Sequence, residues 1–364
     1  MVISVAGGDR FSIEGANAGP AASIHFSDLS AVEVVARDGD AGLAQTYLDG
    51  QWQTPDLCAV LAVVESNPQV MQSQWFLRPL EVLLGRRGVR KQVNIHKRYD
   101  LDNAFYASWL DATMAYSAAC YDGVFSRTLE DAQRAKYERI LALLDPQPGT
   151  RLLDVGCGWG GFAAHAALTR GCSVYGATLS PRQVEHGRLL IQQCELEERA
   201  NIEVRDFRDI VGQYDSVVSI EMIETLRKRD WVMYFDCLAK HLKRDGHAVV
   251  QASVTADDRA GRSRSRANFI QRYVAANAEL ASTSQLTGFA QASGFEMRSL
   301  HRFGSDYAQT LKVWRDAFNR NWPAIENACR DAAFHRLWNY YLAHCEAGFR
   351  SGNTDVIQLE MVLH

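Results

Sequence analysis

Three carboxylates in this chain stand where an apolar run ends. Asp154 follows Leu152-Leu153, and Glu221 and Glu224 follow Val217-Val218-Ser219-Ile220. The carboxyl edge of a strand is where open α/β sheets bind ligands. Asp154 leads into Val155-Gly156-Cys157-Gly158-Trp159-Gly160-Gly161, then into a helical stretch, Phe162 to Leu168. Such a turn lets backbone approach a ligand where side chains would block it, and Asp154 can place its carboxylate beside that ligand. Dinucleotide enzymes use similar turns, so the neighbouring residues must decide what is bound.

A dinucleotide site usually carries an acid at the end of the next strand, for the ribose hydroxyls. Here that strand ends Tyr175-Gly176-Ala177-Thr178-Leu179-Ser180, without one. Thr178 and Ser180 offer hydroxyls instead, and Gln183 sits one turn into the following helix. Neutral hydrogen bonds of this kind contribute about 1 kcal/mol each. The third strand ends Val204-Arg205-Asp206-Phe207. A carboxylate beside an aromatic can accept from an adenine amino group and cover the ring face. The ligand so described has an adenine and a ribose but no diphosphate. Glu224, buried beside an apolar chain, would have a raised pKa and serve as a general base. Glu221 reads as the competing carboxylate, at the cofactor's edge. The eight cysteines form no CxxC or CxxH pair, so neither a metal site nor a disulfide framework is expected. Cys157 reads as a buried filler, with no basic partner nearby in sequence.

The elements that position these residues alternate strand and helix, the pattern of a doubly wound parallel sheet. Expected strands are Arg151–Val155, Ser173–Thr178, Ile202–Val204, Ser216–Ile220 and Ala248–Ser253, with helices at Pro181–Gln193 and Trp231–Leu242. Two late strands, Glu296–Arg302 and Val356–Leu363, flank a helical stretch, Ala308–Phe349. Within it the spacing of Trp314, Phe318 and Trp322 reads as packing. Residues 1 to about 85 read as a small module. It has strands at Met1–Val5, Ala21–Phe26 and Val32–Ala36, then helices at Leu43–Leu48 and Leu57–Glu65. A basic segment follows, Gly85-Arg86-Arg87-Gly88-Val89-Arg90-Lys91, continued by His96, Lys97 and Arg98. It fits a solvated linker and equally a foot for anionic headgroups. The chain thus divides into residues 1–92 and 93–364. The arginine-rich stretch Asp257–Arg266 reads as a surface loop.

The chain has 364 residues, 47% of them hydrophobic and 23% charged, the balance of an ordinary globular protein. A net charge of −4 gives no global pull toward nucleic acid. No signal peptide and no apolar run of bilayer-spanning length is read, so a cytoplasmic protein is expected.

Several further motifs accompany the glycine turn. They are Tyr99-Asp100-Leu101, Leu110-Asp111-Ala112-Thr113-Met114-Ala115-Tyr116-Ser117, Leu129-Glu130-Asp131-Ala132-Gln133, Asp206-Phe207-Arg208-Asp209, Glu221-Met222-Ile223-Glu224 and Phe303-Gly304-Ser305-Asp306-Tyr307. With them, residues 94–364 resemble the class I S-adenosylmethionine methyltransferases. More narrowly, they resemble the cyclopropane-fatty-acid synthases and their mycolic-acid relatives. The resemblance implies a seven-stranded, mostly parallel α/β sheet with a helical lid and a small N-terminal α+β domain that assists membrane docking and dimerisation. It implies S-adenosylmethionine as cofactor. Tyr116 and Ser117 would hold its carboxylate, with Gly156 and Gly158 passing close to it. Thr178, Leu179 and Gln183 would contact the ribose, and Asp206 and Phe207 the adenine. Glu224 would face the reacting carbon, and Tyr307 would come from the lid.

In ring-forming members a bound bicarbonate, held by a cysteine, a glutamate, a histidine and a tyrosine, removes the final proton. This chain departs at two of those positions, with Ala118 for the cysteine and Gln251 for the histidine. Cys120 lies two residues beyond. A glutamine can donate to an anion but cannot relay a proton. The expectation is therefore C-methylation of unsaturated acyl chains of membrane phospholipids, without ring closure. The enzyme would be a homodimer associated peripherally with the inner membrane surface, with an oxidoreductase as a further partner. Three alternatives stand beside it. They are dehydrogenation of an already methylated acyl chain, a non-catalytic lipid-binding partner, and methylation of a small amine.

Overall fold

β-branched and aliphatic runs separated by capped helices build most of this chain. A computed structural model describes residues 1–7, 10–12, 14, 19–67, 101–260, 269–275, 278–326 and 331–364. The basic segment at 85–98, the 92/93 boundary and residues 261–266 lie outside the described residues.

The chain forms two compact units, one of Met1–Asp100, Arg262–Ala276 and Trp314–Asn353, the other of the rest. The first unit thus takes in two later segments that a single cut at 92/93 assigns to the second domain. Its N-terminal elements are β1 (Val2–Val5), β2 (Arg10–Ser12), β3 (Ser23–Phe26), α1 (Leu29–Asp38), α2 (Asp40–Leu48), β4 (Trp52–Gln53) and α3 (Leu57–Ser66). The strands form one sheet, ordered β2-β1-β3-β4. Residues 32–36, expected as a strand, belong to helix α1. Asp28 decides this: its carboxylate accepts from the Ala31 amide and caps the first turn.

In the second unit, α4 (Asn103–Ala107) and α5 (Leu129–Leu144) precede β5 (Arg151–Val155), α6 (Gly161–Arg170), β6 (Ser173–Thr178), α7 (Pro181–Gln193) and β7 (Ala200–Val204). Then come β8 (Tyr214–Ile220), α8 (Trp231–His241), β9 (Leu242–Thr255), α9 (Thr283–Ala292) and β10 (Phe295–Arg302). The chain closes with α10 (Gly304–Glu326), α11 (Ala332–Arg350) and β11 (Thr354–Leu363). The sheet order is β10-β11-β9-β8-β5-β6-β7. Pairing is parallel from β9 to β7, while β11 runs antiparallel to both β9 and β10. This is the seven-stranded doubly wound sheet that the resemblance implies. Two apolar layers cover its faces, one built around Trp231, Phe235 and Leu286, the other around Ile140, Ala163 and Ile202. The winding reverses between β5 and β8, where such sheets open a ligand crevice.

The stretch expected as one helix, 308–349, is two. Asp331 starts the second, its carboxylate accepting from the Phe334 amide at 2.9 Å. In the first unit α11 packs on α3, and Trp314 and Phe318 are buried. Phe318 lies 5.6 Å from Trp322 and 6.5 Å from Trp338, which fits the packing reading.

Gly160 opens α6 at φ 84°, and a Cβ there would overlap Ile202 Cδ1. A left-handed non-glycine residue costs about 1–2 kcal/mol, and overpacking adds about 1–3. Gly160→Ala should therefore lower unfolding free energy in urea by about 2–5 kcal/mol. A loss below about 1 kcal/mol would overturn this account.

Candidate active site

A cavity of about 820 Å³ opens at the carboxyl ends of β5, β6 and β8. The ten residues expected to bind the cofactor all line it. Asp154, Gly156 and Gly158 come from the glycine turn, and Tyr116 and Ser117 from the segment before α5. Thr178, Leu179 and Gln183 come from the β6–α7 junction, Asp206 and Phe207 from the end of β7.

Local contacts fix each end. Gly156 and Gly158 have φ of 80° and 54°, which favour glycine. A Cβ on Gly156 would stand 2.8 Å from Met222 Cγ, while one on Gly158 would meet only open space. Thr178 donates to Gln183 Oε1 at 2.6 Å, so the glutamine's NH₂ group stays available. Arg208 grips the Asp206 carboxylate with two bonds, 2.8 and 2.5 Å, and holds its pKa below the usual carboxylate range. Leu179 is exposed on the cavity wall, where a flat ring could lie against it.

The opposite end is polar and buried. Tyr116 packs against Tyr106 and Trp109, and Tyr106 in turn against Trp159. Gln133 on α5 donates to the carbonyls of Ala115 and Ser117, and Lys136 donates to Ser117 Oγ at 2.6 Å. Asp154 is 1% exposed, and burial raises its pKa to about 7 against the opposing Lys136 charge. Its Oδ2 has no hydrogen-bond partner among the described residues. A buried acceptor left open at one point, with a serine hydroxyl nearby, suits the ammonium and carboxylate of an amino acid. Thr178 and Gln183 suit a ribose, and Phe207 with Leu179 a flat apolar ring. These residues fit S-adenosylmethionine.

The three residues expected to be catalytic are placed differently. Glu224, expected to face the reacting carbon, does not line this cavity; its Oε1 accepts from the Ser253 amide. Burial, reinforced by the Glu221 charge, raises its pKa to about 8, so it holds its proton at neutrality. Gln251 and Tyr307 also stand off the cavity, and both reach Glu221, which does line it. Gln251 Nε2 donates to Glu221 Oε1 at 2.7 Å, and Tyr307 donates to Oε2 at 2.9 Å. The Ala118 amide donates to Oε1 at 2.8 Å. Burial raises the Glu221 pKa, and these three donors and Lys136 oppose that rise. Three donors from separate parts of the fold thus meet at the Glu221 carboxylate. Gln251 is keyed by Gln358, which donates to its Oε1 at 2.9 Å and turns its NH₂ toward the carboxylate.

Glu221 has φ 51°, rare for a non-glycine residue and a mark of strain kept for a purpose. Its amide still donates to the Gln251 carbonyl, so the strand ladder carries it to that neighbour. In the sequence Glu221 reads only as the competing carboxylate, because nothing local shows the donors that the fold brings to it. The available signal was the pair itself, two carboxylates at one strand end. Lys136 was missed too. It stands three residues from Gln133, on the buried face of α5, where lysine is out of pattern. Cys120 is buried and does not line the cavity.

A family model for mycolic acid cyclopropane synthetase matches residues 87–359. Tuberculostearic acid methyltransferase UfaA1 of Mycobacterium tuberculosis is 33% identical, over 94% of this chain and 83% of its own length. Cyclopropane-fatty-acyl-phospholipid synthase of Escherichia coli is 30% identical, over 94% and 88%. The solved structure of mycolic acid cyclopropane synthase CmaA1, complexed with SAH and CTAB, superposes with a TM-score of 0.68 at 27% identity, covering 74% of this chain and 97% of that one. The fold, the crevice and these matches agree: the chain belongs to the mycolic acid cyclopropane synthetase family and is an S-adenosylmethionine-dependent, methyltransferase-like enzyme of fatty acid modification.

Proposed function

We propose that this enzyme methylates an unsaturated acyl chain of a membrane phospholipid, with Glu221 as the base that completes the reaction. One observation carries the reading: the Ala118 amide, Gln251 and Tyr307 all donate to the Glu221 carboxylate on the cavity wall. Two of those positions are where this chain departs from ring-forming relatives, and the third is their tyrosine. The side chain of Glu221 thus takes the donors that a bicarbonate would need.

When bound, the cofactor supplies a methyl group activated by its sulfonium. Asp154, Ser117 and the glycine turn would hold and orient its amino-acid end. The alkene's electron pair would take up that methyl group as the sulfur–methyl bond breaks with its pair left on sulfur, so the positive charge passes from the sulfonium to the acyl chain. Glu221 then accepts a proton from a neighbouring carbon, and that C–H pair becomes the new double bond. The product is a methyl-branched or methylene-bearing unsaturated chain. A saturated branch would need a hydride donor, which is the role for a partner oxidoreductase. Glu224, already protonated, prevents a second negative charge beside the base.

The decisive experiment incubates the purified enzyme with phospholipid vesicles and methyl-labelled S-adenosylmethionine, followed by lipid mass spectrometry. Label in an open, branched chain is expected. Label in a cyclopropane, or transfer only to free amines, would overturn the reading. Loss of hydrogen from an added methylated lipid, without label, would favour the dehydrogenation alternative.

Glu221→Gln should lower turnover by about 10²–10⁴, the usual worth of a general base, with cofactor binding retained. Glu224→Gln replaces a protonated acid by a neutral isostere and should cost less than about tenfold. The opposite ranking would return the base to Glu224.

A base acts only when deprotonated, so kcat/KM should rise with pH through the raised pKa of Glu221. The acid limb should lie above 4.5, the ordinary glutamate value. A limb at or below that value would exclude a buried Glu221 as the base.

A further inference from the structure

Lys136 is sealed from solvent, yet no ion pair to a carboxylate is present for it among the described residues. Its Nζ donates to Ser117 Oγ and to Gln133 Oε1, both at 2.6 Å. Gln133 in turn donates to the Ser117 carbonyl at 2.9 Å, so α5 grips Ser117 at both its side chain and its backbone. Asp154, Glu221, Asp111 and Cys120 are the titratable groups whose charge Lys136 feels.

Two physical points give this arrangement a direction. A buried ammonium is costly, and the two groups that Lys136 bonds directly, Ser117 Oγ and Gln133 Oε1, are both neutral. An ammonium only donates, so it occupies an acceptor position on Ser117 Oγ, and the hydroxyl's own hydrogen must point elsewhere. Ser117 lines the cavity, while Lys136 does not. The wall there already carries two carboxyl groups, Asp154 and Glu221. A third, arriving on a ligand, would be repelled unless a positive charge stood close behind the wall.

We propose that Lys136 is the positioning residue for the carboxylate end of the methyl donor, acting through Ser117. It polarises the Ser117 hydroxyl and supplies the buried positive charge that an α-carboxylate requires. The proposal rests on the reading that this end of the cavity receives the amino-acid moiety. It adds the residue that makes a carboxylate acceptable there.

Calorimetric titration of the full-length protein tests it with two ligands, S-adenosylhomocysteine and its decarboxylated thioether analogue, which keeps the amine. Lys136→Met should weaken S-adenosylhomocysteine by about tenfold or more, the worth of a charge-assisted hydrogen bond, and the analogue by less than about threefold. Ser117→Ala keeps the lysine and should show the same selective loss. The double variant should be no worse than the weaker single one, because both act on one chain of bonds. Equal weakening of both ligands would mark Lys136 as merely structural and overturn the proposal, as would unchanged binding of both. If Lys136→Met does not fold, Lys136→Gln, which keeps a donor to Ser117 and removes the charge, decides by the same criterion. A wild type that binds both ligands equally would instead sink the reading of this end as the carboxylate site, and the proposal with it.

Discussion

The Glu221 carboxylate has to be held against two penalties, the loss of water around a charge and a left-handed backbone at a residue with a Cβ. Three parts of the fold supply the compensation. The Ala118 amide comes from the segment before α5, Gln251 from β9, and Tyr307 from the first turns of α10. These donors are separated by more than a hundred residues of sequence between neighbours in one case and converge only because β8, β9 and β11 lie side by side. Gln358 on β11 pairs with Gln251 on β9 and fixes which face of that amide meets the carboxylate. An error in register at any of these strands would leave a buried charge short of donors.

Four buried titratable groups share this region: Lys136, Asp154, Glu221 and Glu224. Burial pushes the lysine down, to about 8, and the three carboxyl groups up. Their mutual charges then sort them. Glu224 feels Glu221 and keeps its proton, while three donors and Lys136 oppose the rise at Glu221. Such divergence of neighbouring titratable groups is how a fold separates a base from a silent carboxyl. The two substitutions that looked like losses, Ala118 and Gln251, belong to this arrangement. Ala118 contributes its backbone, and Gln251 contributes a donor that needs no proton of its own to give.

The lining of the cavity was legible in the sequence because it is local. A strand, a glycine turn and a helix cap specify where Asp154, Gly156, Gly158, Thr178 and Gln183 stand, within a few residues of one another. Most strands were legible for the same reason, with Arg151–Val155 and Ser173–Thr178 matching to the residue. The contacts of the two glutamates were not. Glu221 and Glu224 lie three residues apart at the end of one strand, and local pattern does not distinguish them. The strand read at residues 32–36 failed because its alternation ignored Asp28, whose cap commits the chain to a helix.

By itself, then, the sequence determined the α/β architecture and the chemical outline of the cofactor, through hydrophobic period and turn chemistry acting over short range. Only the tertiary structure decided which glutamate meets three donors and that a lysine lies buried behind Ser117. Those outcomes depend on donors and charges brought together across the sheet, and a pKa is set by what surrounds a group in space rather than by its neighbours along the chain.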